Sequence, residues 1–124
     1  MPELHAERVL LVEQPDGRDM LKVALEHVGF EVDFANDGES ALTIAAARAP
    51  AVIIVDIVLP GMDGWELAQR LRDVYGAAIR LVALTSLGDP EDRAKSAAAG
   101  FDVHLVKPVQ PGKVRDTIRH LLAA

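Results

Sequence analysis

Residues 52–66 read VIIVDIVLPGMDGWE, a run of four β-branched apolar residues followed at once by an acid, Asp56. A continuous apolar run of this length, bounded by a stretch that contains Pro and Gly, is typical of a strand buried on both faces of a parallel sheet. Because an unpaired charge inside such a sheet would be very costly, we expect Asp56 to leave it at an edge where polar partners and water are available. The stretch therefore predicts a polar site directly after a buried strand.

Short apolar runs recur on both sides of this stretch, and segments with helical periodicity lie between them. Residues that favour helix ends mark several of these segments, such as Asp63 with Glu66 three positions later, or Asp89 before a segment that stops at Gly100. Strands that alternate with helices predict a parallel sheet with helices on both faces. The five predicted strands are residues 9–12, 32–35, 52–55, 81–84 and 103–106.

The apolar positions of the helical segments predict which helix faces pack on the sheet. The predicted inward positions are Met20, Leu21, Ala24, Leu25 and Val28 in the first helix, Leu67, Leu71 and Val74 in the third, and Val114, Ile118 and Leu121 in the last.

Length and charge exclude several classes of protein. A chain of 124 residues is the size of one domain, and a formal net charge of −6 repels polyanions, so we expect no nucleic-acid partner. The apolar runs are far shorter than the roughly 18 residues that span a bilayer, so no membrane insertion is expected. The absence of Cys excludes disulfides and thiolate chemistry, which suits a cytoplasmic protein.

Polar residues follow four of the five predicted strands. Glu13 and Gln14 come after the first strand, Asp56 after the third, Thr85 after the fourth and Lys107 after the fifth. Parallel strands all end at one edge of a sheet, which is where open α/β sheets bind ligands. Two acids, a hydroxyl and a cation are therefore predicted to meet there.

The chain resembles the receiver domain of bacterial two-component response regulators, the CheY-like superfamily. The resemblance is carried by the motifs LLVEQPD, VDIVLPGMDG, ALTS and AAGFDVHLVKP, in this order, and it covers nearly the whole chain. It implies an α/β fold with a flavodoxin-like doubly wound sheet of five parallel strands in the order 2-1-3-4-5, with five helices. Residues 1–124 are then a single receiver domain.

The resemblance also implies a role in phosphorelay signal transduction. A histidine kinase or a phosphotransfer protein would transfer a phosphoryl group to Asp56, Lys107 would pair with that group, and Thr85 would donate a hydrogen bond to it. The phosphoprotein would then switch a surface that binds a downstream protein target, acting as a signalling domain and not as an enzyme. The family's cis peptide bond is expected at Lys107-Pro108.

Magnesium binding is where the sequence departs from the family. Receivers usually carry two acids after the first strand, whereas this chain has Glu13 and Gln14. The metal ligands that the resemblance implies are Glu13, Gln14, Asp56 and the backbone carbonyl of Val58. An amide contributes a dipole in place of a full charge, so Mg²⁺ binding should be weak. Two alternatives stay open: a phosphorylatable switch, or a pseudo-receiver that binds partners without phosphorylation.

His104 occupies the position where the family usually has an aromatic switch residue that works together with Thr85. It is either part of such a switch or a solvated histidine on an edge strand. Basic residues on the last two helices would allow a weak homodimer or another charged interface, although solvated helix faces are the commoner outcome. They are Arg93, Lys95, Arg115 and Arg119.

Two other functions on similar folds fit the sequence less well. A flavin-binding protein would need a loop rich in Gly and hydroxyl groups after the first strand, where this chain has Glu13-Gln14-Pro15. An aspartyl phosphatase would need a second acid two positions after Asp56, where this chain has Val58. No output domain is recognised after Leu122, so a stand-alone regulator and a receiver from a longer protein both remain open.

Overall fold

Strands and helices alternate along the part of the chain that the structure describes. This computed structural model describes residues 7–123, without the side chains of residues 15–18. The strands are β1 (Arg8–Val12), β2 (Glu31–Ala35), β3 (Val52–Val55), β4 (Arg80–Thr85) and β5 (Val103–Val106). The α-helices are α1 (Pro15–His27), α2 (Gly38–Arg48), α3 (Gly64–Tyr75), α4 (Pro90–Ala99) and α5 (Pro111–Ala123), and a short 3₁₀ helix covers Gly76–Ala78.

The strands form one parallel sheet in the order β2-β1-β3-β4-β5. β1 pairs with both β2 and β3, and the chain reverses its direction of winding there, so the carboxyl ends of β1 and β3 are neighbours. The predicted fold class and strand order are confirmed, and each strand begins and ends within one residue of its predicted limits.

Both faces of the sheet are covered, because successive side chains of a strand point to opposite faces. Leu10 and Val12 pack on one face with residues of α2 and α3, including Leu67. Val9 and Leu11 pack on the other face with residues of α1 and α5. The side chains of β1 and β3 are almost completely buried, so these strands form a rigid floor for the residues that follow them.

Two of the predicted inward positions are wrong. Met20 of α1 is 73% exposed and Val74 of α3 is 68% exposed, while Leu21 and Leu71 beside them are buried. The helical period predicts an apolar face on each helix, but the sheet covers only the residues at the centre of that face. Met20 and Val74 lie at the margins of their faces and remain in contact with solvent.

The start of α3 is fixed next to the third strand. Asp63 accepts a hydrogen bond from the Glu66 amide at 2.8 Å, as an N-cap residue should. The Glu66 carboxylate pairs with Arg70 at 2.8 Å and does not make the reciprocal bond predicted for a capping box. Among the helices within residues 7–123, none is long and apolar enough to cross a membrane.

Candidate functional site

Three of the predicted site residues meet at the carboxyl ends of the strands. Glu13 follows β1, Asp56 follows β3 and Lys107 follows β5. Main-chain hydrogen bonds extend the sheet to these positions, since the Asp56 amide donates to the Val12 carbonyl at 2.8 Å and the Lys107 amide donates to the Thr85 carbonyl at 2.8 Å. The backbone at the site is therefore as well ordered as the sheet itself.

Lys107 lies between the two carboxylates. Its Nζ donates to Glu13 Oε1 at 2.6 Å and to Asp56 Oδ2 at 3.2 Å. Glu13 is 5% exposed and Asp56 is 8% exposed, whereas the lysine side chain is one-third exposed. The acids form the floor of the site, and the ammonium group reaches over them from the solvent side.

The site holds two acids and one cation, which leaves negative charge uncompensated. Burial raises the pKa of Glu13 to about 7; the hydrogen bond from Lys107 lowers it, and the proximity of Asp56 raises it. Burial lowers the pKa of Lys107, but the hydrogen bonds and charges of the two acids outweigh burial, so this pKa lies above its usual value. A further cation at the site would relieve the repulsion between the acids.

The other carboxylate oxygen of Asp56 is held by the loop that follows it. Asp56 Oδ1 accepts a hydrogen bond from the Val58 amide at 3.0 Å, and this bond fixes the rotation of the carboxylate. The valine side chain points outward and is 59% exposed. Each oxygen of Asp56 therefore has one donor, and the side chain is held in one orientation.

Gly64 is a residue of the site that the sequence reasoning missed. Its amide donates to the Ile57 carbonyl at 2.8 Å, which brings the first turn of α3 against the loop after Asp56. A Cβ atom at this position would lie 2.6 Å from the Asp56 carbonyl oxygen, so only glycine permits this approach. The sequence signal for this close approach is the GMDG stretch at residues 61–64, shortly after the strand and its acid.

Thr85 ends β4 and is completely buried. Its Oγ1 accepts a hydrogen bond from the Leu87 amide at 3.2 Å, which leaves the hydroxyl proton available for another acceptor. Its carbonyl accepts the bond from the Lys107 amide described above. Thr85 is therefore joined to the Lys107 backbone, although no contact of its side chain with Asp56 is among those described.

Gln14 does not join the cluster. Its Nε2 donates to the Asn36 carbonyl at 3.2 Å, at the end of β2. Among the described side chains, those of residues 7–14 and 19–123, no three of His, Cys, Asp or Glu form a group that could hold a metal ion. The two carboxylates that do meet, Glu13 and Asp56, are hard oxygen donors with excess negative charge, which fits a divalent cation such as Mg²⁺.

His104 is partly buried, and both of its ring nitrogens have partners in the protein. Its Nδ1 lies 2.8 Å from the Ser96 hydroxyl and its Nε2 lies 2.7 Å from the Leu87 carbonyl. On the edge strand β5, His104 is therefore not a freely solvated histidine, and its part in a switch with Thr85 stays a prediction. The Lys107-Pro108 peptide bond is cis, as the resemblance implied.

Comparison with known proteins gives the family of this architecture. The family model described as the response regulator receiver domain matches residues 9–119. The structure of a CheY-like response regulator receiver domain protein from Methanospirillum hungatei superposes with a TM-score of 0.89 at 27% identity, covering 95% of this chain and 94% of that one.

Two further relatives bear on partners and metal. A probable transcriptional regulator, ycf27 of Cyanophora paradoxa, is 36% identical over 121 residues, which are 97% of this chain and 50% of that protein. The chain thus spans about half the length of this relative. The receiver domain of sensor histidine kinase PA1611 from Pseudomonas aeruginosa, solved with magnesium in its active site cleft, has a TM-score of 0.87 at 25% identity, covering 96% and 99% of the two chains.

Proposed function

The chain belongs to the response regulator receiver domain family of two-component systems, and on this premise we propose that Asp56 accepts a phosphoryl group. The observation that carries the proposal is the contact of Lys107 Nζ with Asp56 Oδ2 at the carboxyl edge of the sheet. A nucleophile for phosphorus and a cation for the transferred oxygens are thereby in direct reach of each other. Residues 1–124 form one receiver domain in this proposal.

The transfer is a displacement at phosphorus. A carboxylate oxygen of Asp56 forms a bond to the phosphorus of a phosphohistidine, the P–N bond breaks, and the donor imidazole keeps the electron pair. Lys107 stays beside the product acyl phosphate and offsets the charge on the transferred oxygens, while the Thr85 hydroxyl donates a hydrogen bond to one of them. Receiver domains generally act as signalling domains and not as enzymes, and the output of this step is a changed surface.

Magnesium fits the same group of residues. Glu13, Asp56 and the Val58 carbonyl would hold the ion, with the Gln14 amide oxygen as a further ligand. When bound, Mg²⁺ supplies positive charge next to the phosphoryl oxygens. We propose weak binding, because only two carboxylates take part and Gln14 donates to Asn36 in the resting protein.

The phosphoryl donor is a histidine kinase or a phosphotransfer protein, as in other two-component systems. A cavity of about 500 Å³ lies beside the site, and its lining combines Glu13 and Lys107 with apolar residues that include Met20. The exposed Met20 side chain offers apolar contact area to a donor that must bring its phosphohistidine to Asp56. The target that reads the switch is a downstream protein in the cytoplasm, and a weak homodimer is compatible with this role.

A second candidate function is favoured by one observation, the departure of Gln14 from the cluster. With fewer charges to hold Mg²⁺, the chain would act as a pseudo-receiver, a protein-interaction module that works without phosphorylation. Both candidates use the same fold and the same helix surfaces. They differ in whether Asp56 is ever modified.

Intact-mass spectrometry after incubation with acetyl phosphate and excess Mg²⁺ decides between them. We expect the mass of one phosphoryl group to be added to the wild-type protein and not to Asp56→Asn. Asp73→Asn, at an exposed position of α3, is the matched control and should be modified like the wild type. If the wild type is not modified even at high Mg²⁺ concentration, the phosphoryl-acceptor proposal fails and the pseudo-receiver is favoured.

A further inference from the structure

A line of hydrogen bonds connects the start of α3 to Thr85. Trp65 Nε1 donates to the Ser96 Oγ at 3.0 Å, Ser96 Oγ lies 2.8 Å from His104 Nδ1, and His104 Nε2 lies 2.7 Å from the Leu87 carbonyl. The Leu87 amide in turn donates to Thr85 Oγ1 at 3.2 Å. The line therefore crosses α3, α4, β5 and the segment between β4 and α4.

The direction of each bond follows from what its two ends can do. A backbone carbonyl only accepts, so the proton of a neutral His104 ring must be on Nε2. Nδ1 is then an acceptor and receives the hydroxyl proton of Ser96. Because the indole N–H only donates, the Trp65 bond ends on a lone pair of Ser96 Oγ. Every polar atom in the line has one consistent role.

The line is also protected from water and fixed at its far end. Ser96 is 1% exposed, so its hydroxyl group has no solvent to compete for it. Lys95 Nζ lies 4.8 Å from the centroid of the Trp65 ring, a cation–π contact at the far end of the line. The Leu87 carbonyl therefore sets the tautomer of His104, and Ser96, held by Trp65, fixes the orientation of the ring through its other nitrogen.

We propose that Trp65, Ser96 and His104 are positioning residues for Thr85. By holding the Leu87 carbonyl, the His104 ring keeps the Leu87 amide on Thr85 Oγ1. A hydroxyl oxygen that accepts from Leu87 keeps its own proton free to donate to another acceptor. The line thus prepares Thr85 as a donor before any phosphoryl group arrives. The consequence for transfer rests on the proposed function, whereas the tautomer and the loop geometry do not.

¹⁵N-resolved NMR of the unphosphorylated protein at pH 7.5 shows which ring nitrogens of His104 carry a proton. We expect a neutral ring with its proton on Nε2. A neutral ring protonated on Nδ1, or an imidazolium ring, would reverse at least one of the bonds and overturn the proposal.

Two variants then test the positioning role. Ser96→Ala removes the hydrogen bond to His104 Nδ1, which fixes the orientation of the ring, and His104→Phe keeps a ring of similar volume without either nitrogen. We expect hydrogen exchange at the Leu87 amide to be about fivefold faster in both, which is the factor for the loss of one net hydrogen bond. Ser40→Ala, at an exposed position of α2, is the control and should leave this rate unchanged.

Phosphorylation of the same variants by acetyl phosphate tests the consequence. We expect its initial rate to fall about fivefold in Ser96→Ala and His104→Phe, since one hydrogen bond to the transferred oxygens loses its orientation. If His104→Phe leaves both the Leu87 exchange rate and this rate at their wild-type values, the positioning role is refuted. If the wild type itself accepts no phosphoryl group, the proposed function fails. The His104 tautomer and the exchange rate of the Leu87 amide then still decide whether Trp65, Ser96 and His104 position Thr85.

Discussion

At each end of the sheet a basic side chain bonds several oxygen acceptors, Arg72 at the amino end and Lys107 at the carboxyl end. Arg72 donates to the carbonyls of Gly76, Ile79 and Gly100 and to Asp102 Oδ2, at distances of 2.6 to 2.9 Å. The acceptors are mainly main-chain carbonyls at fixed positions, and one carboxylate balances the one positive charge.

The carboxyl end has the opposite balance. Lys107 is shared by two buried carboxylates, so one acid always lacks full compensation. Burial, with a smaller contribution from Asp56, raises the pKa of Glu13 to about 7. At the amino end all contacts can be satisfied at once, which favours stability. At the carboxyl end they cannot, which leaves the groups ready to exchange partners when a new cation or anion arrives. The amino end of the sheet therefore contributes mainly to stability, and the carboxyl end to chemistry.

Arg72→Ala should have the largest effect on stability. It removes four hydrogen bonds that join the end of α3 to the starts of β4 and β5, and at about 1 kcal/mol net for each we expect a loss of about 4 kcal/mol. Urea unfolding monitored by circular dichroism measures this. Phosphorylation of the folded variant by acetyl phosphate should stay within about a factor of two of the wild type, because distant sites act independently.

Arg70→Ala is the matched control for this variant. Arg70 is on the same helix but makes an exposed pair with Glu66, so the loss should be only about 0.3–0.5 kcal/mol. Equal losses for the two arginines would contradict the assignment of stability to the Arg72 contacts. A large fall in phosphorylation of folded Arg72→Ala would contradict the separation of the two ends.

Glu13→Gln should remove a pH dependence of stability that the carboxyl end creates. The folded-state pKa of Glu13 is about 7 and its ordinary value is 4.5, so the folded protein binds this proton more tightly than the unfolded chain. The resulting stabilisation is complete below pH 4.5 and is lost as the pH rises through 7, by about 3 kcal/mol in total. Glutamine cannot ionise, so the variant lacks this loss.

The measurement is the difference in the free energy of unfolding between Glu13→Gln and the wild type, in EDTA, from pH 4.5 to 8. This difference should be near zero at the acid end and should grow to about 3 kcal/mol in favour of the variant. Glu91→Gln, at an exposed position of α4, controls for the change of net charge. A difference that does not vary with pH would mean that Glu13 is not under electrostatic strain.

Gln14→Asp should sharpen the contrast by adding charge to the carboxyl end. A third carboxylate next to Glu13 and Asp56 should tighten Mg²⁺ binding about tenfold, which corresponds to about 1.4 kcal/mol. Titration with MgCl₂, followed by calorimetry or by the fluorescence of the single tryptophan, Trp65, measures the affinity. Gln69→Asp adds the same charge at an exposed position of α3 and serves as the control. An unchanged Mg²⁺ affinity in Gln14→Asp would refute the account of the missing charge.

The sequence predicted the cluster of site residues at the carboxyl end of the sheet but not the contacts at its amino end. Local composition predicts where each strand ends, and parallel strands all end at the same edge of a sheet. The cluster of Glu13, Asp56 and Lys107 was therefore predictable. Contacts such as Arg72 to Asp102 or Trp65 to Ser96 join residues about 30 positions apart, and they depend on how α3 lies against α4 and β5. No local pattern contains that information, because helical periodicity specifies only a face.

Gly100→Ala tests how closely Arg72 fits its site, and the extra loss caused by this fit is the smallest of the expected effects. Gly100 has a φ of +106°, and a Cβ atom there would lie 2.6 Å from Arg72 Cγ, in a side chain that four hydrogen bonds hold in place. Gly29 has a φ of +100° with no atom within 4 Å of such a Cβ, so Gly29→Ala reports backbone strain alone.

Both alanine variants should lose about 1–2 kcal/mol from the left-handed backbone, and Gly100→Ala should lose about 1 kcal/mol more because Arg72 must shift. In the Arg72→Ala background the γ-carbon is gone, so the extra loss should disappear and the two glycine substitutions should become equivalent. Urea unfolding of the three single variants and the two double variants measures this coupling. If the extra loss persists in the Arg72→Ala background, the fit of the Arg72 side chain does not stabilise the amino end of the sheet. The two ends then differ only in their charge balance.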